Sequence, residues 1–386
     1  RISVTERPNL HKVAVEHELE YAAGKGIKGW DESAYYQFSM AQIENEIVKP
    51  AEEIENLCFQ VVERAINNEE VLGRLGIPEK FWGYVADSWH NAEKNLYGRL
   101  DLSYDGHTPA KLLEYNADTP TTLYESAVMQ WEWLEQATNF GFIPDNVDQF
   151  NQIHERIVEI LPRFEIGGLA HFACSHDFED DRGTLDYLED CAREAGLKTC
   201  ALAMDDIGID EIGRFTDLDD RVITTLVKLY PWEWIMSEDF GQYVPDSKAQ
   251  FIEPPWKTIL SNKGLLPLLW GMFEGHPNLL PAFFEDDPAS VDFANSGTFV
   301  RKPMLSRQGA NIQIVEDGQT IFESDGPYGT EACILQEFQP LPNIKGRYPL
   351  LGCWMVASKA VGLCIREDQT LVTGKEANFV PHVILG

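Results

Sequence analysis

The apolar residues of the N-terminal quarter recur about every three to four positions, a spacing that predicts amphipathic helices. Residues 32–70 carry one such pattern, interrupted by Pro50, and residues 79–96 carry a second. The inward-facing positions are Phe38, Ile43, Ile47, Ile54, Leu57, Val61 and Ile66 in the first segment, and Phe81, Val85, Trp89 and Leu96 in the second. These segments are expected to form a helical scaffold.

The periodicity changes over residues 96–116, where polar and apolar side chains alternate as in a β-strand. Asp105-Gly106 supplies a strong turn signal, and residues 111–116 form the return run. The polar positions of the first run are Arg99, Asp101 and Ser103, with Leu100, Leu102 and Tyr104 alternating with them. The segment is therefore predicted to be a β-hairpin, followed by a helix over residues 123–136.

A small α/β unit is predicted over residues 167–230. Its strands are expected at residues 169–174 and 198–204, with a possible third over residues 222–229. Between the first two, residues 185–195 predict a helix that Gly196 closes at its C-terminal end. This order is typical of a doubly wound unit.

The remainder of the chain is expected to be helical and loop-rich over residues 231–295, and to return to short strands over residues 297–386. The chain has 386 residues, of which 44% are apolar, which is enough for more than one packed lobe. The predicted fold class is therefore α/β with mixed sheets, in at least two lobes around a cleft.

Composition narrows the possible partners. The formal net charge of −32 repels nucleic acid and anionic lipid, so neither is an expected partner. Such a surface would suit a cationic substrate, although a solvated surface made for solubility is the ordinary explanation. No apolar run approaches the roughly 20 residues that cross a bilayer, and Arg1 to Lys12 lacks the apolar stretch of a signal peptide.

The seven cysteines are scattered and odd in number, and none forms a C-x-x-C pair. This usage is typical of a reduced cytoplasmic protein with buried thiols, and not of a disulfide framework or a zinc site.

The predicted hairpin carries the first candidate site. Arg99 and Asp101 share a face of one strand, and Glu114 and Asn116 share a face of the other. If the two sets lie on the same side, the hairpin presents two carboxylates, an amide oxygen and a guanidinium together. Such hard oxygen ligands suit Mg²⁺ that also binds phosphate oxygens. An exposed hairpin with ordinary surface charges is the alternative that the pattern leaves open.

A second candidate lies in residues 299–311, where a strand carrying Lys302 runs into a loop with Ser306, Arg307 and Gly309. A fixed cation beside free backbone N–H groups is what a phosphate-binding loop needs. The order of residues is not that of a Walker A loop. A basic β-turn is the alternative, but Arg301 brings the cations to three within seven residues, which disfavours it in so acidic a chain.

Two further segments carry candidate site residues. The strand-like run Gly362 to Asp368 ends in Arg366 and two acids, so it supplies either a phosphate-binding arginine or an ordinary strand end. His171, Cys174, His176 and Asp177 superficially suggest a metal site. On a strand, residues 171 and 176 point to opposite faces, so ordinary strand residues are favoured there. No G-x-S-x-G elbow supports a hydrolase.

Taken together, these motifs resemble the synthetase domain of glutathionylspermidine synthase, and more closely its stand-alone bacterial relatives that lack the amidase domain. The resemblance covers nearly the whole chain in order. It rests on Leu96-Tyr-Gly-Arg99-Leu-Asp101, Leu113-Glu114-Tyr-Asn116-Ala-Asp118-Thr-Pro, Lys228-Leu-Tyr-Pro-Trp232-Glu233-Trp, Ser261-Asn-Lys263, Arg301-Lys302-Pro, Arg307-Gln-Gly309-Ala-Asn311 and Gly362 to Asp368.

The resemblance implies an ATP-grasp fold with a small α/β pre-ATP-grasp unit and N-terminal helices. The implied regions are an N-terminal helical region (1–95), the metal-binding hairpin and helix (96–136), the α/β unit (165–230) and the nucleotide-binding region (250–386).

The resemblance also implies roles for residues on the hairpin and the late strand. Asp101, Glu114 and Asn116 are similar to Mg²⁺ ligands of the family. Arg99 resembles the arginine that contacts the transferring phosphoryl group, and Arg366 resembles a second phosphate-facing arginine. ATP and Mg²⁺ are therefore the expected cofactors.

Other residues resemble nucleotide contacts. Lys263 and Lys302 are similar to the nucleotide-binding lysines, and Lys375 to a further one. Gln336 and Glu337 fall where the adenine-contacting hinge is expected.

The implied reaction joins a carboxylate to an amine. The carboxylate attacks the γ-phosphate of ATP, and the amine then displaces phosphate from the acyl phosphate. Arg307 lies in the loop, residues 306–311, that would close over the site and exclude water. A kinase-like or ATPase version of the site, and a non-catalytic nucleotide-binding protein, are the competing hypotheses.

The expected substrates are a small acid such as glutathione or another peptide, and a cationic amine such as a polyamine. The acidic run Glu179 to Asp181 falls near the family's polyamine-binding acids. Ala377-Asn378 stands where the family usually has Ser-Arg, so the amine is the less secure of the two substrates.

Overall fold

The computed structural model describes residues 1–8, 29–176 and 179–385. Its strands are β1 (Ile2–Ser3), β2 (Ala34–Ser39), β3 (Tyr97–Ser103), β4 (Lys111–Asn116), β5 (Val147–Asp148), β6 (Leu169–Cys174), β7 (Lys198–Ala203), β8 (Gly208–Ile209), β9 (Phe215–Thr216), β10 (Thr225–Leu229), β11 (Gln250–Ile252), β12 (Ala282–Phe284), β13 (Phe299–Pro303), β14 (Gln313–Glu316), β15 (Gln319–Glu323), β16 (Cys333–Glu337), β17 (Tyr348–Val356), β18 (Lys359–Asp368), β19 (Asn378–Phe379) and β20 (His382–Leu385).

The described helices are short apart from two. They are α1 (Met40–Gln42), α2 (Lys49–Ala65), α3 (Glu69–Arg74), α4 (Trp82–His90), α5 (Gln130–Asn139), α6 (Ile153–Ile160), α7 (Glu179–Glu194), α8 (Trp232–Ser237), α9 (Thr258–Ser261), α10 (Leu265–Met272) and α11 (Pro288–Ala294). Within the described residues, no helix is long and apolar enough to span a bilayer.

Two antiparallel five-stranded sheets flank the cleft. The hairpin sheet has the order β19-β18-β17-β3-β4, and the second sheet has the order β12-β16-β13-β14-β15. The hairpin therefore pairs through β3 with β17, which lies some 250 residues later in the chain, and β18 pairs with the far side of β17. Its apolar face, including Leu100, Leu102 and Tyr115, joins a core that also contains Ile54 and Val61 of α2. Burial of that face against α2 leaves the polar face of β3 and β4 for the cleft.

The α/β unit is a parallel sheet with the order β11-β10-β6-β7. The chain runs outward from β6 to β7, then returns to β10 on the other side of β6. The strand order thus reverses between β6 and β10, whose carboxyl ends at Cys174 and Leu229 are paired. In open α/β sheets, ligands bind in the crevice outside such a switch point. The predicted strands and the Gly196 end of the helix are confirmed, with the helix beginning earlier, at Glu179.

The helix predicted over residues 32–70 is wrong at its start. Residues 34–39 form β2, which pairs in parallel with β20, so Phe38 lies opposite Ile384. The aromatic run Tyr35-Tyr-Gln-Phe38 favours a strand, but its partner lies at the far end of the chain, outside any local pattern. Pro50 does not interrupt the helix. It lies near the start of α2, just after a π-helical turn, where its missing N–H costs little.

The second predicted helix, over residues 79–96, is too long at its C-terminal end. It ends at His90, and Ala92 takes a left-handed backbone conformation with φ of 53°. Leu96 instead leads into β3, and its backbone N–H donates to the Glu253 carboxylate. The hairpin itself is confirmed: Asp101 pairs with Glu114, and Arg99 pairs with Asn116.

Candidate active site

Asp101 is the centre of the polar face of the hairpin. Arg99 donates to both of its carboxylate oxygens, from Nε at 2.7 Å and from a terminal nitrogen at 3.2 Å. Arg366 on β18 donates to Oδ2 at 2.6 Å, and Asn116 Nδ2 donates to the same oxygen at 3.1 Å. The Asp101 carboxylate is almost fully buried, at 1% exposure, so these donors replace its hydration.

Arg99 is fixed on several sides besides Asp101. A terminal nitrogen donates to the Thr121 carbonyl at 2.9 Å, and the guanidinium lies 5.4 Å from the ring centre of Trp354. Burial lowers the pKa of Arg99, but the Asp101 carboxylate outweighs it and raises that pKa above the ordinary value. Gly352 lies opposite Asp101, and a Cβ there would come within 2.7 Å of Arg99 Cδ. The same Cβ would come within 2.6 Å of Cys364 Sγ, so a larger residue would have to displace both side chains, and the glycine leaves room for Arg99 on the sheet.

Glu114 connects the hairpin to a cation from another element. Asn116 Nδ2 donates to Oε1 at 3.1 Å, and Lys263 Nζ lies 3.2 Å from Oε2. Burial raises the pKa of Glu114, but Lys263 and Lys302 outweigh it and hold that pKa well below its usual range. Glu114 therefore remains ionised at neutral pH. Lys263 follows α9, and its Nζ also donates to the Ser306 carbonyl at 2.5 Å.

Lys302 lies where the two five-stranded sheets meet. Its Nζ donates to Gln336 Oε1 at 2.6 Å and to the carbonyl of Leu113 in β4 at 3.0 Å. Gln336 Nε2 in turn donates to the Leu112 carbonyl at 3.2 Å. Burial lowers the pKa of Lys302 to about 8, which Glu114 partly opposes and Lys263 reinforces. The ammonium is thus held between the sheets, and it loses its proton at a lower pH than an ordinary lysine does.

Arg307 closes one side of the site. Its guanidinium donates to the side chain of Thr119 and lies 5.6 Å from the ring centre of Trp234. The loop beyond it packs closely, because a Cβ at Gly309 would come within 2.8 Å of the Thr373 carbonyl. Arg307, Lys263 and Glu114 line one narrow cavity of about 50 Å³. That volume holds a few waters and not a nucleotide, so the loop lies closed against the hairpin.

Three residues that the sequence brought forward lie elsewhere. Arg301 does not join the cation cluster, because neighbouring residues of a strand point to opposite faces. It pairs with Glu285, with Nε 2.5 Å from Oε1, on the other side of β13. Glu337 is exposed at the end of β16, and Lys375 is exposed beyond β18. The structure brings together Arg99, Asp101, Glu114, Asn116, Lys263, Lys302, Gln336, Arg307 and Arg366.

Sequence reasoning missed a connection between the hairpin and the α/β unit. Lys228 at the end of β10 donates to Asp118 Oδ1 at 2.5 Å, and the backbone N–H of Trp232 donates to Oδ2 at 2.9 Å. Asp118 and Glu233 line the same cavity as Glu114 and Lys263. The only sequence signal for Asp118, Lys228 and Glu233 was that the two motifs containing them belong to the family resemblance.

The suspected metal set in the α/β unit is not assembled. Cys174 is buried at the end of β6, His176 is exposed, and Asp177 lies outside the described residues. His171 instead reaches Asp217, with Nε2 3.0 Å from Oδ2, and Cys200 lies near both.

An arginine already occupies the position that a cation would take beside this His171 group. Arg221 Nε donates to Asp217 at 2.7 Å, and its terminal nitrogen is 3.6 Å from Cys200 Sγ. Arg221 thus supplies the positive charge beside Asp217 and Cys200, while the buried Nδ1 of His171 has no hydrogen-bond partner.

The hairpin, by contrast, fits a hard divalent cation. Two carboxylates converge on one side-chain amide, since Asn116 Nδ2 lies 3.1 Å from both Asp101 and Glu114. A half-turn of that amide would exchange its nitrogen for its oxygen and complete a set of three oxygen donors. Arg99, Arg366, Lys263 and Lys302 surround this set with charges of the sign that phosphate requires.

Comparisons with known proteins place these features in a family. The family model described as glutathionylspermidine synthase preATP-grasp matches residues 1–385. A Haemophilus influenzae protein named "Putative acid–amine ligase" is 37% identical over 390 residues, which cover 97% of each chain. The bifunctional glutathionylspermidine synthetase/amidase of Escherichia coli is 23% identical over 382 residues, covering 92% of this chain and 60% of that protein.

Among solved structures, a glutathione synthetase-like effector from Globodera pallida superposes with a TM-score of 0.55. The match has 13% sequence identity and covers 98% of this chain and 99% of the effector. At that identity the likeness concerns the fold alone, and it confirms the predicted α/β ATP-grasp architecture.

Proposed function

This chain belongs to the glutathionylspermidine synthase preATP-grasp family, and we propose that it is an ATP-dependent ligase that joins an acid to an amine through an acyl phosphate. The observation that carries the proposal is the buried network on the hairpin. There, Arg99, Arg366 and Lys263 contact a magnesium-type oxygen set directly, and Lys302 reaches the hairpin backbone from the second sheet.

The oxygen set would hold Mg²⁺. Asp101, Glu114 and Asn116 would bind it once the Asn116 amide turns its oxygen inward. Bound there, Mg²⁺ supplies charge neutralisation at the phosphate oxygens. Asp101 meanwhile orients Arg99, since two parallel hydrogen bonds fix the plane of the guanidinium.

The cations would position the nucleotide and stabilise the transferring group. Arg99 and Arg366 face the same carboxylate from two strands, and both would turn partly toward the γ-phosphoryl group. Lys302 would bind phosphate oxygens from the opposite sheet, and Lys263 would do so from the segment after α9. Charge stabilisation of this kind is the main contribution of a protein to phosphoryl transfer.

The rest of the nucleotide would lie along the second sheet. Gln336 and Glu337 end β16 beside Lys302, where an adenine edge could be read by side-chain and backbone groups. Lys375 would reach the phosphates only if its segment moves inward. Arg307 and its loop would open to admit the nucleotide and close again to exclude water from the acyl phosphate.

The chemistry proceeds in two steps. The acid's carboxylate oxygen forms a bond to the γ-phosphorus as the bond to the β-phosphate oxygen breaks, giving the acyl phosphate and ADP. The amine nitrogen then bonds to the acyl carbon, and phosphate leaves with its electron pair as the nitrogen loses a proton. No covalent attachment to the protein is needed.

For the substrates, we propose a small peptide acid such as glutathione and a cationic amine such as a polyamine. The family description and the name of the Escherichia coli relative support this pair. Burial raises the pKa of the Cys174 thiol at the switch point of the α/β sheet, Arg182 lowers it, and Asp181 and Asp186 raise it, so charges of both signs lie there.

The test is ADP release that requires both substrates. The protein would be mixed with Mg·ATP, a panel of peptides including glutathione, and a panel of amines including spermidine. Mass spectrometry should find a product equal to acid plus amine minus water. ADP release with an acid alone would instead indicate a kinase or ATPase, and no ADP with any pair would indicate a non-catalytic nucleotide-binding protein.

A matched pair of variants ties the activity to the site. Lys302→Met should abolish ADP release, because Lys302 is buried beside Gln336 at the junction of the sheets. Arg301→Met, one residue earlier, removes a cation that faces away and pairs with Glu285, so activity should be kept. Equal loss in both variants would contradict the assignment of the cleft.

A further inference from the structure

Glu233 is a carboxylate that the network above leaves unused. It lies in the first turn of α8, four residues after β10 ends, at the switch point of the parallel sheet. It lines the same cavity as Glu114, Lys263 and Arg307. Glu233 therefore lies where a ligand of the α/β unit would meet the phosphate site. The strand order and the residues that line the cavity indicate this position independently.

The charges around Glu233 differ from those around its neighbour Asp118. Asp118 is fully satisfied by Lys228 and by the backbone of Trp232. Among the described residues, Glu233 has no ion pair, and the hydrogen bond to its carboxylate is a local one from its own backbone N–H, although the residue is half-buried. Arg307 and Lys228 act on this carboxylate only from beyond ion-pair distance, so a cationic ligand in the cavity would find it without a paired cation.

The electrostatics of Glu233 agree with its surroundings. Burial raises its pKa above the usual range, and the Asp118 carboxylate adds to the effect. Arg307 and Lys228 oppose both, without reversing the direction. A carboxylate whose proton affinity is brought closer to neutral pH is suited to accept a proton from a reacting amine.

We propose that Glu233 receives the acceptor amine: it binds the ammonium group on arrival and takes the proton that the nitrogen gives up when it attacks. The inference rests on the proposed ligase function and names the residue for its second step. As the C–N bond forms, the carbon–phosphate oxygen bond breaks and phosphate leaves with the electron pair. The proton passes from nitrogen to the Glu233 carboxylate and then to solvent.

The position of Glu233 relative to Arg307 explains how both substrates could be handled in one cavity. Arg307 donates to Thr119 and lies over the ring of Trp234, which is the residue directly after Glu233. Its positive charge suits the acyl phosphate. Glu233 carries the opposite charge, suited to the amine. The two charges lie at the wall of one cavity, so an anionic acyl phosphate and a cationic amine would be drawn together there.

The test compares two nucleophiles in Glu233→Gln, using the acid that turns over in the wild-type protein. Spermidine is cationic at neutral pH and must lose a proton, whereas hydroxylamine is uncharged and traps acyl phosphates as hydroxamates. We expect kcat/KM for spermidine to fall by about 10²–10⁴-fold, the range of a lost general base. Acid-dependent hydroxamate formation should stay near the wild-type rate, and Glu233→Asp should recover part of the spermidine reaction.

Asp239→Asn is the control, since it removes one exposed carboxylate from the next turn of the same segment and should change neither reaction. Three results would overturn the inference. They are an equal loss of both reactions in Glu233→Gln, unchanged kinetics with spermidine, or a rise in KM confined to the acid. If the wild-type protein forms neither product with any acid, the proposed ligase function fails. Failure of the Glu233 inference alone is recognised by a wild-type protein that forms both products.

Discussion

The two carboxylates of the hairpin should differ sharply in what they contribute to stability. Asp101→Asn removes a charge that is 1% exposed and that faces both Arg99 and Arg366 at 2.6–2.7 Å. Glu114→Gln removes a charge that keeps 30% exposure and has one ion pair, with Lys263 at 3.2 Å. Both changes are nearly isosteric, so shape is held constant and charge alone is varied.

The expected magnitudes follow from burial. Removing one partner of a buried ion pair costs about 3–5 kcal/mol, because the remaining charge is left uncompensated. Here Asp101→Asn leaves two arginines in that condition. A partly exposed pair such as Glu114–Lys263 contributes less, so Glu114→Gln should cost clearly less than Asp101→Asn, although it removes the carboxylate from beside Lys263 and Lys302. Both variants should lose turnover, since both carboxylates belong to the proposed magnesium set.

The assay is thermal unfolding of the two variants without nucleotide, beside turnover measured with the active acid–amine pair. Asp101→Asn should lower Tm by on the order of 10 °C, given roughly 2–4 °C per kcal/mol for domains of 150–250 residues. Glu114→Gln should lower Tm by less than Asp101→Asn and yet be inactive. An Asp101→Asn protein as stable as wild type, or a Glu114→Gln protein that is fully active, would refute the reasoning.

Three further outcomes are expected. The pKa of Lys302 is lowered to about 8, so the cation is lost as pH rises through that value, and kcat/KM for ATP should fall there in a pH series. Burial raises the pKa of Glu55 in the folded protein, so folding favours its neutral form. The stability that this neutral form contributes is lost as pH rises through the pKa of the folded state. Glu55→Gln keeps an acceptor for Tyr115 and should raise the free energy of unfolding more at pH 8 than at pH 5, by denaturant titration. Gly352→Ala should displace Arg99 and lower turnover with little loss of expression or solubility, checked by kinetics on purified protein.

The hairpin could be predicted from the sequence because all of its signals are local. Alternation over β3 and β4, with Asp105-Gly106 between them, fixed both strands and the shared face of Asp101 and Glu114. The parallel sheet followed from local patterns in the same way. Alternation also separates Arg301 from Lys302, since adjacent strand residues face opposite sides. The short spacing of the three cations nevertheless suggested a single cluster.

What the sequence could not provide was contact between distant segments. β2 was taken for helix because its partner β20 lies over 340 residues away. Lys263 was a lone lysine until the fold brought it to Glu114, about 150 residues earlier in the chain. Glu233 likewise has no local signal, because its importance depends on the order of strands in the parallel sheet and on which wall of the cavity α8 joins.

The charge balance of the site agrees with the proposal that so acidic a chain binds a polyanion. Of the formal charge of −32, only two carboxylates, Asp101 and Glu114, lie within the network, against the four cations Arg99, Arg366, Lys263 and Lys302. The local balance is therefore positive by two. Burial is the main cause of the lowered pKa of Lys302, and the neighbouring charge of Lys263 adds to it. A complex of ATP with one magnesium ion carries the opposite charge of about −2 at neutral pH, when the second phosphate proton is lost. Binding such a complex would cancel the local excess and raise the pKa of Lys302 again, whereas a bare divalent cation would add to the excess. The network is thus matched to metal and nucleotide arriving together.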